Sequence, residues 1–288
     1  MAVEVRYFTD PACPWSWAAE PAVRKLMVVF GDSLSWTYSM GGYARDFTAG
    51  FEDREAGIGA SQAVYPGLLK HWLDVSGASG MPVDPRLWSE GPIASTYPAC
   101  IAVKAASEQA EDGGYGYLRA VREGLFCFRR KLDTAEALIE EARRAGLDVE
   151  RFRVDVNSHA ILERFGDDLE AVRNPPDGAP VTSTGGPERL VMPSLVFTGE
   201  DGSRHGVFGP APYERLSEAA VAAGAEPGGA GSPGIAEALR RFGRMATKEV
   251  ELVCGLPGPR APAELWRMAA DWEVRPVPVL TGTLWEPA

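Results

Sequence analysis

The chain has 288 residues, 45% hydrophobic, 24% charged and 9% aromatic, proportions of a globular protein with ample core that argue against disorder. Its formal net charge is −11, and no apolar run approaches the ~18 residues a membrane helix needs. A membrane-spanning helix is therefore excluded, and the overall field repels nucleic acid and anionic lipid.

Residues 3–8 alternate apolar and polar side chains (Val3, Val5 and Tyr7 against Glu4 and Arg6) and stop at Thr9-Asp10-Pro11, which predicts a strand there. Cys13-Pro14 then opens a helix running toward Phe30, since Pro14 suits a first helical turn, and Gly31-Asp32 ends it. Residues 34–40 alternate again, so the chain begins as strand, helix, strand with a cysteine at the helix N-terminus. Helical patterning follows at 68–75, 97–109 and 117–132, with a capping box at Asp133-Thr-Ala-Glu136 opening another helix, and two more over 149–156 and 159–172. Asn174-Pro-Pro-Asp-Gly breaks the helical run. Strand character returns at 190–197 and 203–208, and a helix over 213–223 closes this part.

Glycine and proline make 225–233 a linker. Beyond it, helices at 235–242, 247–254 and 262–272 and a hairpin around Thr281-Gly282 suggest a small helical or winged-helix-like extension over 234–288. Seven basic and seven acidic side chains cancel in that extension, which argues against DNA binding. Its Trp266, Trp272 and Trp285 suit packing on the rest of the chain or on another subunit, so a homo-oligomer is open.

Asp10-Pro-Ala-Cys-Pro-Trp-Ser-Trp17 is the stretch that carries chemistry. A thiol between a strand and a helix sits where free backbone N–H groups and the positive end of the helix dipole favour the thiolate, so Cys13 is expected to titrate below the ~8.5 of an ordinary thiol. The stretch resembles the active-site segment of DsbA-like thioredoxin-fold proteins, in particular the FrnE-related branch of dithiol-disulfide isomerases. Met192-Pro193 resembles that family's cis-proline segment, and Gly209 with Tyr213-Glu-Arg-Leu216 its closing turn and helix. The resemblance implies an α/β fold: a thioredoxin-like domain over 1–48 and 175–224 with an all-helical insertion over 49–174.

The same resemblance implies a cytoplasmic thiol-disulfide oxidoreductase or isomerase. In it Cys13 is the nucleophile, Ser16 assists the thiolate, and Pro14, Trp15, Met192 and Pro193 shape the substrate groove. Ser16 stands where the family has its second cysteine, so a mixed disulfide with glutathione or a protein thiol is the chemistry expected of Cys13, with Cys100 or Cys127 left open as a resolving thiol. A cytoplasmic location agrees with the lack of a secretory signal pattern and of a disulfide framework among Cys13, Cys100, Cys127 and Cys254. Two alternatives stand beside this reading. One is a glutathione-dependent isomerase or transferase, resembling 2-hydroxychromene-2-carboxylate isomerases and kappa-class glutathione transferases, with glutathione as co-substrate. The other is a non-catalytic adaptor that binds a protein through the thioredoxin-like scaffold. No covalently bound cofactor is expected, and the scattered His71, His159 and His205 give no metal-site spacing.

Overall fold

The computed structural model describes residues 2–48, 51–53, 56–59, 64–229 and 231–288. In chain order it comprises β1 (Val3–Thr9), α1 (Pro14–Ala18), α2 (Glu20–Phe30) and β2 (Leu34–Met40). There follow α3 (Val64–Ser79), α4 (Leu87–Glu90), α5 (Tyr97–Ala106), α6 (Tyr115–Phe126), α7 (Ala135–Arg144), α8 (Val149–Asp155) and α9 (His159–Arg173). Next come β3 (Val181–Thr182), β4 (Arg189–Leu190), β5 (Ser194–Thr198), β6 (Arg204–Phe208) and α10 (Tyr213–Ala222). The last part is α11 (Ile235–Phe242), β7 (Met245–Ala246), α12 (Thr247–Val253), α13 (Arg260–Ala270), β8 (Val274–Val279) and β9 (Gly282–Pro287).

The main sheet has the order β2-β1-β5-β6, with β1 parallel to β2 and antiparallel to β5. This is a mixed α/β thioredoxin-like sheet with added helices. Val3, Val5 and Tyr7 of β1 join Leu26 and Phe30 of α2 in the principal core, while Phe8 points to the opposite face and meets Val172 of α9, Leu190 and Val196. Both faces are thus covered, as expected for a strand flanked by helical layers. No helix among the described residues is long and apolar enough to cross a membrane.

Several local readings are corrected by the structure. The helix expected to run unbroken from residue 13 to 30 is divided at Ala19 into a five-residue α1 and an eleven-residue α2. Pro21 has no N–H to give to the preceding turn, so the ladder restarts there. The strand expected over 190–197 is two pieces, because Pro193 cannot donate to a ladder: Leu190 pairs with Val181, whereas Ser194 pairs with Phe8. The cap of α7 is Thr134, whose hydroxyl accepts from Ala137 N, while Asp133 accepts from Ala94 N at 2.7 Å and ties α7 to the segment before α5.

The C-terminal part runs helix, strand, helix, helix, strand, strand, with the sheet order β7-β9-β8. Pro276 and Pro278 lie on β8, an edge strand, where a missing N–H costs no ladder bond. The three tryptophans do not dock this part as anticipated: Trp285 is buried in the local core with Leu265 and Met268, but Trp266 is 56% and Trp272 85% exposed.

Docking is apolar and ionic together, with Ala246 and Leu284 buried in the principal core and Leu252, Val277 and Val279 packed against it. Four carboxylates (Glu20, Glu123, Glu249, Glu286) meet four guanidinium groups (Arg24, Arg119, Arg122, Arg244) across α2, α6 and the C-terminal part. Arg119 Nη1 lies 3.1 Å from Glu20 and 2.6 Å from Glu249, and Arg24 Nη1 is 3.0 Å from Glu249. Glu20, Arg24, Arg122 and Glu249 are almost wholly buried. Beside them the β8–β9 turn is pinned by Thr281, whose hydroxyl accepts from Val83 N at 2.7 Å. The glycine-rich segment is itself anchored, since Gly228 N donates to Val29 O at 2.7 Å.

Candidate functional site around Cys13

Cys13 closes the turn that follows β1. Its N–H donates to Asp10 O at 3.3 Å, and its own carbonyl accepts from Trp17 N, so it is the residue that caps α1. The thiol donates to Met192 O at 3.8 Å across the gap between the two halves of the thioredoxin-like unit. The Met192–Pro193 bond is cis. The Met192 side chain packs over Gly41, just after β2. The consecutive Cys13, Pro14 and Trp15 and the distant Met192 therefore line one pocket, and Ser16 is fully buried. Pro193, next to Met192, carries the turn that sets Met192 O against the thiol.

The thiol is not acidic. Cys13 is only 4% exposed, and burial pushes its pKa up to about 11, against opposing help from the Ser16 side chain and backbone N–H. The nearby Asp10 carboxylate raises it further and Arg189 lowers it. Two physical reasons defeat the expectation of a stabilised thiolate. Desolvation penalises the anion more than local donors favour it, and α1 is too short to offer much of a helix dipole. The Ser16 hydroxyl makes no hydrogen bond in the thiol state.

Asp10 is the residue that organises this corner. Its buried carboxylate accepts from Ala12 N (2.8 Å), Tyr43 N (2.7 Å), Thr96 Oγ1 (3.0 Å) and the Cys100 thiol (3.2 Å), which joins β1, the segment after β2 and α5. Burial raises its pKa nonetheless. The Cys127 thiol donates to Pro82 O at 3.5 Å. All four cysteines are free and buried. No group of three or more His, Cys, Asp or Glu among the described residues is placed to hold a metal ion.

The space over Cys13 is nearly closed. It amounts to about 10 Å³, and Tyr43, Asp53, His71, Thr184 and Arg189 fill what would be a substrate groove. That volume is at the lower limit for one water molecule. The His71 ring meets Trp15 edge-on at 6.4 Å, and burial lowers its pKa. A larger apolar groove of about 450 Å³ opens beside Trp15, between Ala22, Pro210, Tyr213 and Leu252. The sequence singled out neither the occluding residues nor Asp10. Asp10 lay within the motif that was read. Tyr43, His71, Thr184 and Arg189 carry no local signal, since only the fold brings them to Cys13.

A thioredoxin family model matches residues 7–174. The ClpXP adapter protein SpxH of Halalkalibacterium halodurans is 27% identical over 98% of this chain and 88% of its own length. The SpxH of Bacillus subtilis is 26% identical over 99% of this chain and 89% of its own. Among solved structures, a candidate protein disulfide isomerase from Nitrosomonas europaea superposes with a TM-score of 0.61 at 20% identity, covering 77% of this chain and 97% of that one. The cytosolic disulfide reductase DsbM of Pseudomonas aeruginosa gives 0.53 at 17% identity, over 71% and 88%. These structural likenesses speak for the fold.

The relatives overturn the reading as a thiol-disulfide oxidoreductase or isomerase with glutathione or a protein thiol as partner. Proteins aligned along almost the whole chain are named as adapters, and the sealed, weakly acidic Cys13 agrees with that correction. The matched segment runs from within β1 through α9, and the chain belongs to the thioredoxin family.

Proposed function

We propose that this protein is a non-catalytic adaptor that binds a protein client through its thioredoxin-like scaffold and delivers it to a ClpXP-type protease. The observation that carries the reading is the extent of the likeness to the SpxH adapters. It runs over 98–99% of this chain and so includes the C-terminal part, whereas the disulfide isomerase structure leaves nearly a quarter of the chain without a counterpart. The site supports it, because a lone thiol with no neighbouring partner, desolvated and capped by Met192 O, is poorly made for exchange chemistry. The apolar groove beside Trp15 is a surface of protein-binding character.

The test is a comparison of protein half-lives in cells lacking this chain and in cells lacking ClpP. An adaptor predicts a protein stabilised in both, with turnover restored equally by the wild-type chain and by Cys13→Ala. Restoration by wild type but not by Cys13→Ala, together with disulfide reduction by the purified wild type, would return the protein to the enzymes.

A further inference from the structure

The groove along the Met192-Pro193 turn is where a thioredoxin-like fold presents main chain to an extended partner, and here another piece of the same chain fills it. β3 and β4 form a short antiparallel hairpin, with Val181 opposite Leu190 and Thr182 opposite Arg189. Its side chains reach the thiol pocket: Thr182, Thr184 and Arg189 line the space over Cys13. Thr184 Oγ1 donates to Tyr43 O at 2.7 Å, and the buried Arg189 guanidinium lies 5.4 Å from the centre of the Tyr43 ring. Val191 N, which adjoins the cis-proline turn, is used internally by Pro180 O at 3.2 Å.

The hairpin is held lightly. Residues 181–188 are exposed or half-buried, and the two-residue ladder is flanked by Gly178 and Gly185, both at positive φ. Only at Arg189 and Leu190 does the chain become buried, Leu190 packing on Phe8, Val172 and Val196. A segment with few apolar contacts, fixed at one end and jointed at the other, is one that opens locally while the core stays folded.

We propose that the β3–β4 hairpin is an intramolecular strap that closes the groove over Cys13 and must lift before any molecule reaches that thiol or the Met192 main chain. The inference does not depend on the adaptor reading. It treats the thiol pocket as a concealed site whose exposure is set by the strap, with an extended segment of a partner protein as the class of ligand that would replace it.

The experiment is site-resolved maleimide labelling of the full-length protein at fixed pH, read by peptide mass spectrometry. Labelling of Cys13 should rise ~5-fold in Thr184→Ala, the equilibrium factor of one ordinary hydrogen bond, and at least ~10-fold in Thr184→Ala/Arg189→Ala. Cys100 and Cys127 should label as in the wild type. An unchanged Cys13 rate, or a rise shared by Cys100 and Cys127, which signals global unfolding, overturns the proposal. Hydrogen exchange of the wild type provides a second reading that needs no variant to fold. The Val191 amide should exchange ~100-fold faster than the Phe197 amide within the sheet, and equal protection of the two overturns the strap.

Discussion

Cys13 shows how little a motif says about reactivity until solvent is counted. Its thiol hydrogen-bonds Met192 O, its surroundings exclude water, and burial holds its pKa at about 11, well above that of an ordinary thiol. Folding therefore favours the protonated form. The stability this contributes is whole below pH 9 and is lost as pH rises from 9 toward 11, by an amount on the order of 2 kcal/mol. Denaturant titrations at pH 8 and pH 10.5 should show a steeper loss for the wild type than for Cys13→Ala; equal losses would contradict the buried thiol. The same logic makes Cys13 slow to alkylate near pH 7.

At the scale of elements, the junction of α2, α6 and α12 holds a buried charge cluster beside its apolar contacts. Burial alone would raise the pKa of Glu20, but Arg122, Arg119 and Arg24 outweigh it and hold the carboxyl at about 2, with Tyr115 OH donating to Glu20 Oε2 at 2.7 Å. Removing one partner from such a cluster leaves buried charge uncompensated. Glu20→Gln should cost roughly 3–5 kcal/mol of stability at pH 7. The difference from wild type is full above pH 4.5 and should shrink as pH falls toward 2, because the wild-type carboxylate is then neutralised. Chemical denaturation of both proteins between pH 2.5 and pH 7 checks the magnitude and the sign. The sequence displayed each of these residues as an ordinary helix charge. Which glutamate meets which arginine depends on helices whose paired residues lie 99 to 130 positions apart, and periodicity carries no such information.

At the scale of the whole molecule, that junction and the burial of Ala246 and Leu284 in the principal core tie the C-terminal part to the rest. The C-terminal part has its own small core, but Glu249 lies against Arg24 and Arg119, and Arg244 against Glu123, so neither side keeps its charges paired alone. The intact chain should unfold calorimetrically in one transition. A chain ending at residue 233 should melt roughly 10 °C lower, the effect of a few kcal/mol on a protein of this size. Two separate transitions in the intact chain, one matching the truncated protein, would show that the parts are merely tethered. The exposed Trp266 and Trp272 leave the C-terminal part with apolar surface that the intramolecular docking does not use.

Local rules determined what local physics controls. Alternation at Val3, Val5 and Tyr7 placed β1, Pro14 after Cys13 placed the start of a helix, and the unbroken helical patterning after β2 announced the insertion. The Met192-Pro193 turn was legible for the same reason, since a motif of adjacent residues specifies adjacent backbone. What the tertiary structure alone decided was the environment of the thiol. The strap, Tyr43 and His71 converge on Cys13 from distant positions and remove its water, and Asp10 adds an unfavourable charge. Desolvation is a property of everything that surrounds a group, so no stretch of sequence around Cys13 contains it.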